Sequence, residues 1–173
     1  IENRRYEAIL LSLLVMIFGD LIIPLRFEVV FDSILVIQNV IVGFIVFQGD
    51  SKRMRYGLSI LLFIIIGLET SSILYPNENI KILMFLAFII YFIPVSLKVY
   101  LAIYKTKEVS VKMVSAVFCG FIMMVTMGSF IFLIIELMHP NSFSNLGGEN
   151  ELFPNIQYFS FITSLTIGYG DIA

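Results

Sequence analysis

The stretch that decides the fold lies near the end of the chain and reads PNIQYFSFITSL over residues 154–165, followed by TIGYGD over residues 166–171. Its first part is apolar and aromatic, and Pro154 is tolerated in a first helical turn because no amide donor is missed there. A helix of about 12 residues is about 18 Å long, whereas the hydrocarbon core of a membrane is about 30 Å thick. The sequence therefore predicts a re-entrant helix that enters a membrane without crossing it.

Five apolar runs precede this stretch, and each is long enough to cross a membrane. Short polar segments join them, and a longer polar, Gly-containing loop at residues 139–153 separates the last run from the re-entrant helix. Only helices or closed barrels satisfy the backbone in hydrocarbon, and runs of this length favour helices. The fold class predicted is an all-α membrane protein with five transmembrane helices and one re-entrant helix. The predicted spans are Ala8 to Leu25, Val29 to Gln48, Leu58 to Tyr75, Ile80 to Tyr104 and Val111 to Met138.

The composition excludes an ordinary soluble protein. Of the 173 residues, 59% are hydrophobic and 14% are charged, against about 45–50% and about 25% in a soluble domain. The formal net charge of −2 provides no positive field for a phosphate backbone, so nucleic-acid binding is not expected. Cys119 is the sole cysteine, so no intrachain disulfide forms. The sequence has no nucleophile–base pair, metal-ligand cluster or phosphate-binding loop, so we expect neither an enzyme nor a cofactor.

The basic residues of the short loops predict the orientation, because Lys and Arg are enriched in cytoplasmic loops. One side carries eight basic residues, whereas the opposite side carries only Arg26 and Lys81. Lys98 lies within the fourth span and can extend its side chain toward the basic side. We therefore expect a multi-pass protein of the cell membrane with a cytoplasmic N-terminus and the loop after Met138 outside. The eight basic residues are Arg4, Arg5, Lys52, Arg53, Arg55, Lys105, Lys107 and Lys112.

The TIGYGD segment resembles the selectivity-filter signature of potassium channels, and the five spans before it resemble the six-span channels in layout. The resemblance implies a K⁺-selective channel subunit, in which backbone carbonyls coordinate a dehydrated K⁺ and glycines supply the required dihedrals. K⁺ would bind the carbonyls of the first four filter residues and the Thr166 hydroxyl, as permeant ion and not as cofactor. One chain supplies a quarter of each ring, so the resemblance also implies a tetramer of identical subunits in the lipid bilayer. The implied filter residues are Thr166, Ile167, Gly168, Tyr169 and Gly170.

The resemblance also assigns supporting roles around the filter. Tyr158 and Phe159 stand where many relatives have two tryptophans, and this chain has no Trp. We expect the Tyr158 hydroxyl to replace the indole donor and to bind Asp171 behind the filter. Some relatives carry a carboxylate at the position of Ile162, so Asp171 has one acidic partner fewer here.

Charged residues elsewhere predict how the chain responds to voltage. The fourth span contains only Lys81 and Lys98, one near each end, so weak or absent voltage dependence is expected. The acids Asp20, Asp32 and Glu69 lie near the outer ends of their spans, and we favour solvation at the interface for them. The alternative is a structural cluster among the first four helices, pairing with Arg26 or Lys81.

The loop after the fifth span has two predicted features. Glu136, which leads into it, is expected to enrich cations by its field. Residues 145–149 are expected to form a flexible turn.

The predicted organisation has two parts, a four-helix membrane domain at residues 1–104 that does not sense voltage and a pore-domain segment at residues 105–173. The chain is expected to end one inner helix short of a complete channel subunit. Passive K⁺ permeation is the favoured function. The alternatives are a truncated, non-conducting subunit that assembles with full-length partners, and a K⁺ transporter with four degenerate filter repeats, which this single intact motif does not resemble as closely.

Overall fold

The computed structural model describes residues 5–18, 37–44, 47, 52–75, 77–106, 109–148 and 151–172. Over these residues the chain is helical with no β-strand, which confirms the all-α prediction for the part that the structure describes. Among the described residues, three helices are long and apolar enough to cross a membrane, so a membrane protein is the class that the fold supports. The helices are α1 (Arg5–Phe18), α2 (described over 37–44), α3 (Lys52–Leu74), α4 (Glu78–Lys105), α5 (Val111–Met138) and α6 (Leu152–Ser164).

The bounds of the later helices agree closely with the sequence prediction, because each begins at a capping side chain. The Asn77 side chain accepts a hydrogen bond from the Asn79 amide at 2.9 Å, which caps the start of α4. Ser110 caps α5 in the same way by accepting from the Met113 amide at 3.3 Å. The predicted span from Val111 to Met138 is α5 itself.

Three predictions differ from the structure or fall outside it. Helix α3 begins at Lys52, six residues before the predicted span, so its basic residues form the first turns of a helix and not a loop. Only residues 37–44 and 47 of the second predicted span are described. The end of the first span, Asp20, Asp32 and Arg26 lie outside the described residues.

The prediction for Glu69 is wrong. The sequence favours a solvated side chain, but only 6% of Glu69 is exposed. Glu69 follows the buried Leu58 and Ile65 at intervals of seven and four residues, so helical periodicity places it on the same face of α3. Because α3 packs against α4, this face is buried in the bundle.

Helix α5 is the centre of the packing and contacts α1, α4 and α6. Its Phe130 is fully buried and lies 5.3 Å, between ring centroids, from Phe88 of α4. On the other side the Phe130 ring lies 6.5 Å from Phe153 in the first turn of α6. Such aromatic pairs stabilise by about 0.5–1.5 kcal/mol each beyond the area they bury, so one side chain joins three helices.

Helix α6 is held against α5 by a close backbone approach. The Ser160 hydroxyl donates to the Val125 carbonyl at 2.7 Å, and Ser160 is buried. A Cβ added at Gly128 would lie 2.8 Å from the Ser160 hydroxyl oxygen, so this contact requires glycine. These contacts set the depth and orientation of the short helix that carries the candidate site.

Candidate functional site

The end of α6 has the hydrogen bonds of a Schellman motif, which terminates a helix with one residue in the left-handed region. Thr166 occupies that position with φ of 57°. Its amide donates to the Thr163 carbonyl at 3.0 Å, and the Ile167 amide donates to the Ile162 carbonyl at 2.9 Å. The residue usual at this position is glycine, because a β-branched side chain is strained there.

The backbone beyond α6 alternates in handedness. Three alternate residues have positive φ: 57° at Thr166, 55° at Gly168 and 73° at Gly170. Ile167 and Tyr169, which separate them, are not among the residues with positive φ. Residues with positive φ that alternate with residues without it can turn successive N–H groups toward one side of the chain. Residues 166–171 are called here the 166–171 segment, and positive φ recurs at every second residue of it from Thr166 to Gly170.

Two amides of this segment face the end of α6. The Ile162 carbonyl accepts from the Ile167 amide and also from the Gly168 amide, the latter at 3.4 Å. No atom lies within 4 Å of the position that a Cβ would take at Gly168 or Gly170. The need for glycine at both positions thus comes from the dihedral angle and not from crowding.

Tyr158 and Asp171 are joined as the sequence predicts. The Tyr158 hydroxyl donates to Asp171 Oδ2 at 2.8 Å. This hydrogen bond lowers the pKa of Asp171 below its usual value, and it raises the pKa of Tyr158 because the neighbouring carboxylate favours the protonated phenol. The bond links the second turn of α6 to the far end of the 166–171 segment. The predicted hydrogen bond is confirmed, while its role stays a prediction.

Phe159 lies in a cluster of three phenylalanine rings. Its ring centroid is 5.2 Å from Phe132 of α5 and 5.4 Å from Phe143 of the loop after α5. Phe132 and Phe143 are themselves 5.5 Å apart. The cluster therefore packs α6 against both α5 and the loop after it. Ile162, at the position where some relatives have a carboxylate, is 5% exposed.

The loop between α5 and α6, called here the turret, has contacts that the sequence did not reveal. The Asn145 side-chain amide donates to the Asp171 backbone carbonyl at 2.8 Å. The Asn155 side chain of α6 donates to the Leu146 carbonyl, also at 2.8 Å. Asn145 has φ of 60°, which asparagine tolerates better than most residues. The described residues 145–148 are thus anchored at two points, whereas the sequence predicts a flexible turn.

Glu136 organises the start of the turret. Its two carboxylate oxygens accept the amides of Asn141 at 2.8 Å and Phe143 at 3.1 Å. The sequence predicts that the charge of Glu136 enriches cations nearby. The structure shows that its carboxylate also holds the start of the turret through these two hydrogen bonds. Asparagines and glycines in a loop signal turns, but they do not reveal which distant group each side chain binds.

The residues of the 166–171 segment are exposed in the single chain. Tyr169 is 70% exposed and Ile167 is 48% exposed. Neither side chain is part of the hydrophobic core of the single chain. Comparisons with protein-family models, curated proteins and solved structures found no match to this chain.

Proposed function

We propose that the chain is a subunit of a K⁺-selective channel, in which K⁺ passes down its electrochemical gradient through the 166–171 segments of four identical copies. The observation that carries this proposal is the alternation of positive φ at Thr166, Gly168 and Gly170. A potassium filter requires successive carbonyls to face one axis, where they replace the hydration shell of the ion. The combination of this backbone with the TIGYGD sequence supports the proposal better than either feature alone.

The electrostatics of α6 support the same function. The carboxyl end of a helix carries a partial charge of about −0.5, which favours a cation nearby. Here that end leads directly into the 166–171 segment through the Schellman motif at Thr166. Helix α6 has 13 residues, which is too short to cross a membrane of about 30 Å. A half-length helix that ends at the ion path therefore stabilises K⁺ inside the membrane.

The exposure of the 166–171 segment supports assembly into a tetramer. Irregular backbone is tolerated at membrane depth where it is buried in protein or lines a hydrated path. In the single chain Tyr169 is 70% exposed and Ile167 is 48% exposed, so neither side chain is buried in protein. Four copies around an axis would cover these side chains and would close each ring of carbonyl ligands.

The proposed channel has weak or no voltage dependence. Moving one charge across the membrane is worth about 2.3 kcal/mol per 100 mV, so voltage sensing requires several charges in the middle of a helix. Helix α4 carries three basic residues, of which Lys81 and Lys105 lie in its first and last turns. Lys98 remains as the single interior charge of α4.

The test is the flux of K⁺ against Na⁺ from liposomes that contain the protein in its natural full length. We expect K⁺ to leave much faster than Na⁺. Gly168→Ala should abolish this preference because φ of 55° is unfavourable for alanine. Gly67→Ala is the matched control, since Gly67 lies within α3 with nothing within 4 Å of its Cβ position. Equal permeability to the two ions contradicts the selectivity. A tetramer that inserts but does not conduct favours the non-conducting assembly subunit instead.

A further inference from the structure

A groove of about 500 Å³ lies where the start of α3 meets the end of α4, away from the 166–171 segment. Most of its lining is apolar, but Lys98 and Lys105 of α4 are also part of it. We call it the basic groove. Leu97 and Leu101 are more than half exposed, so the groove opens on the surface that a membrane would cover. Its other apolar lining residues include Phe47, Met54 and Pro94.

The two lysines lie on one face of α4. Pro94, Lys98, Leu101 and Lys105 follow one another at intervals of four, three and four residues, which is the spacing of a single helical face. At a rise of about 1.5 Å per residue, the two lysine Cα atoms are about 10 Å apart along the axis. One charge therefore lies in the last turn of the helix and the other about two turns deeper.

Lys98 has a defined position inside the groove. Its ammonium nitrogen lies 4.5 Å from the centroid of the Phe47 ring, which is a cation–π distance. Phe47 is 2% exposed, so its ring is a fixed wall of the groove. This contact places the Lys98 ammonium beside the apolar lining.

A second basic cluster lies at the same end. Met54 of the groove lining belongs to the first turn of α3, where its neighbours Lys52, Arg53 and Arg55 are all exposed. Among the described residues, those at the mouth of the groove are basic, and those of its floor are apolar. An anionic membrane lipid has the two complementary parts, because its negative headgroup matches the basic mouth and its hydrocarbon chain matches the apolar floor.

We propose that the basic groove binds an anionic glycerophospholipid from the membrane leaflet at the basic end of the helices. The phosphate lies between Lys98 and Lys105, and an acyl chain follows Leu97 and Leu101 toward Pro94. A soluble phosphate would leave the apolar lining open to water, and a neutral lipid would bring no net negative charge to the positive mouth of the groove. This binding site does not depend on the proposed channel function.

The absence of Trp from the chain allows a direct measurement. Leu101→Trp places one fluorophore in the groove, and Phe63→Trp places one on the 73% exposed surface of α3 as the matched control. Each Trp variant is reconstituted in phosphatidylcholine vesicles. In one titration the vesicles contain increasing dibrominated phosphatidylglycerol, and in the other they contain increasing dibrominated phosphatidylcholine. Bromine quenches the Trp that its lipid contacts, so the two titrations give the relative affinity for the anionic lipid.

We expect the Leu101→Trp chain to prefer phosphatidylglycerol and the Phe63→Trp chain to show no preference. Lys98→Gln and Lys105→Gln should each lower the preference about fivefold, since a basic residue near the surface contributes about that factor in affinity for an anionic lipid. Lys98→Arg should retain it, and Lys81→Gln, at the opposite end of α4, should not change it. An equal affinity for both lipids, or an unchanged preference after both substitutions to Gln, overturns the proposal. Displacement of the lipid by the soluble headgroup glycerophosphoglycerol also overturns it.

Discussion

Tyr158 and Asp171 form a 2.8 Å hydrogen bond that connects the middle of α6 to the far end of the 166–171 segment. The two residues are 13 positions apart, and the whole segment lies between them. The bond therefore ties the end of the 166–171 segment back to α6 within the same chain. Any movement of the segment away from α6 requires this bond to break.

Removal of the Tyr158 hydroxyl should make the conformation of the 166–171 segment less stable. Tyr158→Phe keeps the ring but loses the donor, so we expect K⁺ flux to decay several-fold faster through filter inactivation while ion selectivity is unchanged. Tyr158→Trp restores a donor at the ring edge and should retain most of the stability. The measurement is the decay of flux after K⁺ is added. An unchanged decay in Tyr158→Phe would show that the bond has no part in holding the segment.

The same bond predicts the titration of both partners. Because the Asp171 carboxylate raises the pKa of Tyr158, Asp171→Asn should lower the Tyr158 pKa toward its ordinary value of about 10. NMR titration of ¹³C-labelled tyrosine measures this change. Glu136→Gln is the control, since that carboxylate binds turret amides and not Tyr158. A Tyr158 pKa that does not move in Asp171→Asn contradicts the assigned cause.

The pH range of the bond follows from the two shifts. Asp171 has a lowered pKa, so its contribution to stability is complete above its unfolded pKa and is lost as the pH falls through the folded value. Tyr158 has a raised pKa, so its contribution is complete below its unfolded pKa and is lost as the pH rises through the folded value. The bond should therefore persist across the physiological range, and flux decay should not depend on pH there.

The turret contact at Asn145 gives an independent prediction. Asn145→Gly removes the amide that binds the Asp171 carbonyl but keeps the left-handed backbone, so flux should decay faster than in the parent. Asn141→Gly is the matched control, because Asn141 is an exposed turret residue with a similar φ of 68°. Equal behaviour of the two variants would mean that the Asn145 side chain does not support the segment.

Because Thr166 has a left-handed backbone, its replacement by glycine should raise stability and lower the preference for K⁺. Thr166→Gly should relieve strain and raise the free energy of unfolding by up to about 1 kcal/mol, after allowance for the more flexible unfolded chain. Ile167→Gly, where φ is not positive, should lower stability instead. Thermal unfolding in detergent measures both. Preference for K⁺ should fall in Thr166→Gly because the proposed hydroxyl ligand is lost. A less stable Thr166→Gly protein would contradict the strain at Thr166.

One methyl group added at Gly128 should destabilise the contact between α5 and α6. Gly128→Ala brings a Cβ within 2.8 Å of the Ser160 hydroxyl oxygen, and such overpacking costs about 1–3 kcal/mol. Ser160→Ala removes the oxygen, so the double variant should lose less than the sum of the two single losses. Gly67→Ala, in open space on α3, should cost nothing or stabilise slightly. Additive losses in the double variant would show that the two sites do not clash.

Several features of the molecule follow from the sequence alone. The bounds of α4 and α5 agree with the apolar runs, because the length of a hydrophobic run and its polar capping residues are local properties. The pairing of Tyr158 with Asp171 was predicted from the resemblance of this stretch to potassium channels. The short length of α6 also followed, although its start is two residues earlier than the run beginning at Pro154 suggests.

Other features required the tertiary structure, because they depend on which helix faces meet. Helical periodicity shows which face of α3 carries Glu69, but it does not show which helix packs on that face. The burial of Glu69 therefore depends on the packing of α3 against α4. The Asn145 side chain reaches a carbonyl 26 residues away, and no local pattern specifies that partner. The cation–π contact of Lys98 with Phe47 likewise joins residues 51 positions apart in sequence. Hydropathy and length thus determined that the chain forms membrane helices, whereas the packing of those helices decided which polar groups support the candidate ion path.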